Sequence, residues 1–368
     1  MRRIAISTAA STIAFSLAGC SALNAWQDTT SSRTAKGNDI TVGVLMPEKT
    51  NVRYAEFDYP IIKKKVAELT KNQGETIYEN AGSDASVQNS QMRKMIDERV
   101  DVILLDAVDS HLITPMVKKA KAAGIPVIAY DRLAEGPINA YISFDNELVG
   151  EVQGRALLEA IGSSTSTSPT VVMVNGSPTD PNAKMFKTGA LSELSDKMTI
   201  TKNYDTDGYS PKLAQSEMTD AIKAIGKDNI TAVYSANDAM AGGIVKALEN
   251  AGVTKFPPIT GQDAELTAVQ RIVTGEQYMT VYKRYADEAE VAAEAAVMKV
   301  QGMSIQVDAL TLDRVDSPTN KNIPARLVPV ISLTRSNIKS TVVADGLYTV
   351  DQICTATYRA ACDAIGLK

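Results

Sequence analysis

The sequence predicts an α/β fold of two doubly wound, parallel-sheet lobes, and three observations predict it. From residue 40 onward, short apolar runs alternate with amphipathic stretches of helical length, the pattern of strand–helix–strand units. One run, Val100-Asp-Val-Ile-Leu-Leu105, is almost wholly apolar, as suits a parallel strand covered on both faces. The 368 residues are enough for two ordinary cores, so the units divide into two lobes.

Taken in order, Ile40–Met46 is the first strand. A helix follows from Tyr59 to Lys71, a strand at Thr76–Tyr78 and a helix over Val87–Arg99. After the Val100–Leu105 strand, His111–Ala123 is helical and Gly124 stops it, because glycine readily takes the left-handed conformation of a helix end. Ile125–Tyr130 and Ala140–Phe144 are strands. The second series begins with a strand at Thr170–Val174. Helices Ala183–Asp196 and Pro211–Ile225 follow, then strand Ala232–Ser235 and helix Asp238–Asn250. Pro258–Thr260 is a strand, Glu265–Thr274 a helix, Met279–Lys283 a strand and Ala286–Met303 a long helix rich in Ala and Glu. The Ser163–Pro169 run reads as a surface loop of the second lobe, and no strong repeat is visible.

The first forty residues are of another kind. Met1-Arg2-Arg3 precedes an uncharged apolar run, Ile4–Ala18, too short for a comfortable membrane span and suited to a secretory signal. It closes on Leu17-Ala18-Gly19-Cys20, which resembles the lipobox of bacterial lipoproteins. That resemblance implies a signal peptide at 1–19, cleavage before Cys20 and a lipid on its sulfur as a membrane anchor. The rest of 20–38 is rich in Ser, Thr, Ala and Asn and reads as a flexible tether. It holds the one tryptophan, Trp26. Cys354 and Cys362 lie close together near the C-terminus. In an oxidising compartment they can pair as a disulfide; two buried free thiols are the alternative.

Composition removes several function classes. The net charge of −5 gives no basic footprint for nucleic acid. The single histidine, His111, excludes a multi-histidine metal centre and fits a surface or capping role. The cysteines lack zinc or redox spacing. Asp205 and Asp207 beside Gly208 lack the further oxygen ligands of a calcium loop. No metal and no cofactor is expected.

Ligands of open parallel sheets bind beyond the carboxyl ends of the strands. Polar residues gather there: Asp131-Arg132 after Tyr130, Asp145-Asn146 after Phe144, Asp180 and Asn182 after Val174, Asn237-Asp238 after Ser235, Gln262-Asp263 after Thr260, and Lys283-Arg284. Helix capping accounts for any one Asp or Asn. Capping does not select the Arg and Lys among them. The mixture suits a polyol, whose hydroxyls both donate and accept. The planar fork of arginine can bridge two adjacent hydroxyls. Tyr54, after Arg53, and Tyr209 are candidates for packing on the apolar face of a sugar ring.

These residues resemble the type I periplasmic sugar-binding proteins of ABC transporters, most closely the xylose-binding and multi-sugar (glucose, galactose, arabinose) branch. The resemblance rests on Tyr130–Leu133, Ile142–Glu147, Gly176–Lys184, Asn237–Ala239, Gly261–Glu265 and Met279–Lys283, six words in order over most of residues 40–350. It implies the type I periplasmic-binding-protein fold, with a three-strand hinge crossing near 144–147, 283–286 and 308–332. The first lobe would comprise 39–145 plus 285–308, the second 146–284 plus 309–345, and 346–368 a C-terminal extension. The resemblance implies sugar contacts from Arg53, Asp131, Arg132, Asp180, Asn182, Asn237, Asp263 and Lys283. Tyr54 and Tyr209 stand where xylose binders place tryptophans. It also implies a monomer that captures a monosaccharide and delivers it to the permease subunits of an importer.

Three rivals are weighed against this. A transcription regulator of the same fold needs an N-terminal helix-turn-helix, where this chain has an export signal. A sugar hydrolase has carboxylates available, such as Asp180 and Asp263, but among cations that keep them ionised. A sensor feeding a membrane receptor has the same sequence signature as a transport protein.

Overall fold

The computed structural model describes residues 34–49, 51–162 and 169–368. The expected signal peptide, Cys20, Trp26 and the tether up to Arg33 lie outside the described residues, as does most of the Ser163–Pro169 loop. Lys36–Asn38, expected in the tether, are instead fixed to the body. The Lys36 N–H donates to Val300 O at 3.1 Å and its ammonium pairs with Asp101 at 2.8 Å.

The strands and helices alternate as the apolar pattern requires. The first lobe runs β1 (Thr41–Met46), α1 (Tyr59–Leu69), β2 (Glu75–Asn80), α2 (Ala85–Asp97), β3 (Val102–Leu105), α3 (Thr114–Ala122), β4 (Val127–Tyr130) and β5 (Ala140–Phe144). The second runs α4 (Asn146–Ile161), β6 (Thr170–Asn175), α5 (Pro181–Leu194), β7 (Thr199–Asp205), α6 (Pro211–Ile225), β8 (Ala232–Ser235), α7 (Asp238–Asn250), α8 (Leu266–Thr274) and β9 (Met279–Lys283). The chain returns to the first lobe through α9 (Tyr285–Val300), α10 (Ser304–Leu310), β10 (Asp313–Val315) and β11 (Ile323–Val328). It then crosses again into β12 (Val330–Thr334), α11 (Val350–Ile353) and α12 (Arg359–Ala364).

The first-lobe sheet has the order β10-β11-β5-β4-β3-β1-β2, parallel throughout except for the β10–β11 pair. The strands β3, β4 and β5 are buried along their whole length. The second lobe has β7-β6-β8. Parallel bridges Val233–Ile259 and Gln262–Val281 join it to the antiparallel β9–β12 pair. The two lobes therefore share one winding: β2-β1-β3-β4-β5 in the first, and β7-β6-β8, the Ile259 segment and β9 in the second. Divergent sequences hide this repeat, which is one of topology.

Three expectations need correction. Residues 309–328, expected in the second lobe, include β10 and β11, and β11 pairs with β5 in the first-lobe sheet. The third crossing accordingly falls at Pro329. The expected strand Pro258–Thr260 is reduced to the bridge at Ile259, because Pro257 and Pro258 carry no N–H for a ladder. The expected long helix to Met303 ends at Val300, where Gly302 at φ +75° breaks it before α10.

The C-terminal segment closes the second lobe. Cys354 and Cys362 form a disulfide, and both are buried in one cluster with Ile272, Val273, Tyr348 and Leu333. Among the described residues, no helix is long and apolar enough to cross a membrane.

Candidate functional site

The loop after β1 supplies the first wall of a cleft between the lobes. Arg53 is 2% exposed. Its Nε and Nη2 donate to Asp58 at 2.8 and 3.0 Å. Nη2 also donates to Glu288 at 2.6 Å, and Nη1 to Asp131 at 2.7 Å. Burial opposes the guanidinium charge, but Asp58, Glu288 and Asp131 outweigh it and hold the group well above its usual range. Four of its five N–H donors are thereby committed. One N–H on Nη1 remains for the cleft, so this arginine cannot bridge two hydroxyls with its fork. Tyr54 follows, buried, with the guanidinium 5.2 Å from its ring centre.

Asp131 and Arg132 leave the end of β4. Asp131 sits at φ +55°, a conformation uncommon outside glycine that persists where surroundings over-determine it. Its carbonyl accepts from Ser143 and Tyr141 at 2.7 and 2.8 Å. Burial alone would raise its carboxyl. Lys283, Arg53 and Arg132 outweigh burial and hold it below the usual carboxylate range. Arg132 Nη2 donates to Glu48 at 2.8 Å, and its Nε lies 3.3 Å from Asp180 in the opposite lobe.

The second lobe contributes through α5 and α7. Asp180 caps α5 by accepting from Asn182 N at 2.9 Å, and Asn237 caps α7 by accepting from Met240 N at 3.0 Å. Both residues also line the cleft, so capping a helix and facing the cleft are not alternatives here. Asn182 donates through Nδ2 to the Asp131 carbonyl and carboxylate at 2.9 and 3.1 Å. Phe186 lies one turn further along the same helix face. It is held there because α4 and α5 touch closely: a Cβ on Gly150 would sit 1.9 Å from Phe186 O. Tyr209, at φ +52°, donates its hydroxyl to Asp180 at 2.5 Å. Its ring lies so close to the backbone that a Cβ on Gly176 would fall 2.4 Å from Cε1.

Asp263 and Lys283 complete the floor. Asp263 stands at φ +97°, accepts from Asn51 Nδ2 at 2.7 Å and pairs with the Lys283 ammonium at 3.1 Å. Burial works against the Lys283 charge, but Asp263 and Asp131 outweigh it and raise the group.

All ten residues expected from sequence line this one cleft: Arg53, Tyr54, Asp131, Arg132, Asp180, Asn182, Tyr209, Asn237, Asp263 and Lys283. The sequence reading missed Glu48, Asn51, Phe186 and Gln262, which line it too. Gln262 stands next to Asp263 in a recognised word and was legible there. The cleft holds about 300 Å³ of empty space, counting the part open to solvent. Gln262 Oε1 is buried in its wall without a hydrogen-bond partner, an unusual cost for a folded protein, while Asp263 Oδ1 and Arg132 Nε are held there by ion pairs alone. Among the described residues no group of His, Cys, Asp and Glu is arranged to hold a metal.

Comparison with known proteins bears on this geometry. A family described as "Periplasmic binding protein domain" matches residues 42–304. The chain is similar to the D-xylose-binding periplasmic protein of Escherichia coli, 34% identical over 85% of this chain and 92% of that one. It is also similar to the multiple sugar-binding periplasmic protein SbpA of Azospirillum brasilense, 32% identical over 85% of this chain and 90% of that one. Among solved structures, an ABC transporter solute-binding protein from Clostridium phytofermentans with bound β-D-glucose aligns with a TM-score of 0.76. It is 27% identical, over 85% of this chain and 99% of that one. With two like-wound lobes meeting over a polar cleft, the chain belongs to the periplasmic binding protein family.

Proposed function

We propose that this chain captures a neutral monosaccharide between its lobes and hands it to the membrane subunits of an ABC importer. Xylose is the first candidate, followed by glucose, galactose and arabinose. The observation that carries this is the convergence of buried carboxylates, amides, two arginines, a lysine and two tyrosines on one cleft. A sugar hydroxyl donates and accepts at once. It suits a wall where Gln262 Oε1, which has no hydrogen-bond partner, accepts, and where carboxylates and the Arg132 guanidinium stand beside it. The arginines and the lysine are each neutralised by protein carboxylates, which disfavours an anionic ligand. The named relatives bind xylose or several sugars, and these lend their ligand class to the proposal. The named relatives are sugar-binding proteins rather than enzymes, which supports the same reading here.

The proposal includes an extracytoplasmic monomer held at the membrane by lipid on Cys20. Replacement of Cys20 by Ala should release the protein from the membrane fraction. A thermal-shift screen with xylose, glucose, galactose, arabinose, ribose and fucose tests the ligand class. At least one aldose should raise the melting temperature in a dose-dependent way. A flat response to every sugar removes the proposal.

A further inference from the structure

Among the hydrogen bonds that join the lobes, those of two asparagines are related by the shared winding of the lobes. Asn51, in the loop after β1, donates Nδ2 to Asp263 of the second lobe at 2.7 Å. Asn182, just beyond the loop after β6, donates Nδ2 to Asp131 of the first lobe at 2.9 and 3.1 Å. The strands β1 and β6 hold the same place in the two windings. The two aspartates also correspond. Asp131 follows the fourth strand of its lobe, and its N–H donates to Ile142 O of the fifth at 2.9 Å. Asp263 follows the fourth segment of its lobe, and its N–H donates to Val281 O of the fifth at 2.9 Å. Each is left-handed, at φ +55° and +97°. Each carbonyl accepts a tyrosine hydroxyl, Tyr141 for Asp131 and Tyr285 for Asp263. The ammonium of Lys283, at a hinge crossing, lies 3.8 Å from one carboxylate and 3.1 Å from the other.

We infer that Asn51 and Asn182 form a reciprocal amide-to-carboxylate latch, with pseudo-twofold symmetry, that draws the lobes together without a ligand. Every atom of the latch belongs to the protein, and its bonds reach from one lobe to the other, so opening would break them. The bonds to the Asp263 and Asp131 carboxylates, at 2.7 and 3.1 Å, are charge-assisted and buried, the kind whose net worth exceeds that of a neutral one, while the 2.9 Å bond of Asn182 goes to the Asp131 carbonyl. The latch holds a fraction of the unliganded protein closed. Apparent affinity scales with the fraction already competent to bind, so Asn51 sets affinity as a positioning residue. This last step rests on the sugar-binding proposal; the latch itself does not.

The Asn51 side chain has two separable jobs. Its Oδ1 accepts from Arg53 N at 3.1 Å and shapes the loop, while Nδ2 makes the latch. Asn51→Asp keeps the first and replaces the second with a charge facing Asp263. The test uses the full chain with spin labels on Lys64→Cys in α1 and Lys223→Cys in α6, both exposed positions. Inter-lobe distances are measured without sugar, in the wild-type background and with Asn51→Asp or Asn51→Ala. The wild type should show a short-distance population that both variants lose, and sugar affinity should fall about tenfold to a hundredfold, the span expected for a charged hydrogen bond. A sugar-free wild type with only long distances overturns the latch, as does an Asn51→Asp distribution identical to it. Were no sugar to bind, the sugar-free distances would still decide the latch, so the two failures are separable.

Discussion

At Asp263 one carboxylate meets both an amide from the opposite lobe and the Lys283 ammonium. Removing it leaves the buried Lys283 ammonium with only the longer 3.8 Å pair to Asp131 and Asn51 Nδ2 without its acceptor. Asp263→Ala should lose at least tenfold to a hundredfold in sugar affinity with the circular-dichroism spectrum unchanged; equal affinity would reduce Asp263 to a loop residue. Gly176 tests the neighbouring wall. Its replacement by Ala forces the Tyr209 ring to move, since the new Cβ would sit 2.4 Å from it. Overpacking of this kind costs about 1–3 kcal/mol, read as weaker binding at near-constant fold. Seven of the ten expected residues were legible because each stands at or after a strand end within a recognisable word; Arg53, Tyr54 and Tyr209 were read from the loops that follow a strand. Phe186 was not, since on α5 it reads as one more core aromatic. The partners of Arg53 were not legible either: Glu288 is 235 positions away, and no local pattern announces a guanidinium already occupied by carboxylates.

At the scale of elements, apolar spacing revealed the buried strands and most helices, and failed where burial is one-sided. The edge strand β7, Thr199–Asp205, is Thr-Ile-Thr-Lys-Asn-Tyr-Asp and nowhere fully buried, so its pattern carries little signal. The strands β11 and β12 are only partly buried and separated by Pro329, which made the last hinge crossing easy to misassign. The C-terminal helices are too short for a helical period. Their stability comes from the disulfide and from packing on α8: Gln270 Nε2 donates to Gln352 O at 3.2 Å, and Cys354 and Cys362 are fully buried. Replacing both cysteines by Ser removes the constraint on a short loop, which chain entropy values at about 2–3 kcal/mol. Urea denaturation should show an unfolding free energy lowered by that amount, read as a lower midpoint. An unchanged midpoint would mean that packing alone holds this segment.

Across the whole molecule, buried carboxyls decide how stability responds to pH. Burial raises Asp238 to about 7 and Glu265 to about 8, and it also raises Glu48, Asp106, Asp180 and Glu288. Between about pH 5 and 7 the unfolded chain has lost the Asp238 and Glu265 protons while the folded chain largely keeps them, so their contribution makes stability fall as pH rises. Asp131 has the opposite sign, since its carboxyl is held low; its contribution is present above the ordinary carboxylate range and lost as pH falls below it. Thermal midpoints should therefore decline from pH 5 to pH 7, and Asp238→Asn should flatten the decline. A midpoint that rises over this range contradicts the assignment. The two lobes and the cleft between them were legible from the alternating pattern together with the family words. The winding shared by the lobes was not, because it is carried by strand order and hinge crossings, to which sequence identity is blind. If this cleft holds a monosaccharide through polar groups of both lobes, isothermal titration of the full chain with D-xylose, glucose, galactose and arabinose, alongside Asp263→Ala and Arg132→Ala, should reveal it. At least one sugar should bind one-to-one and saturably, and that binding should be lost or sharply weakened in both variants, one from each lobe. No heat with any sugar, or binding undiminished in both variants, contradicts this reading of the cleft.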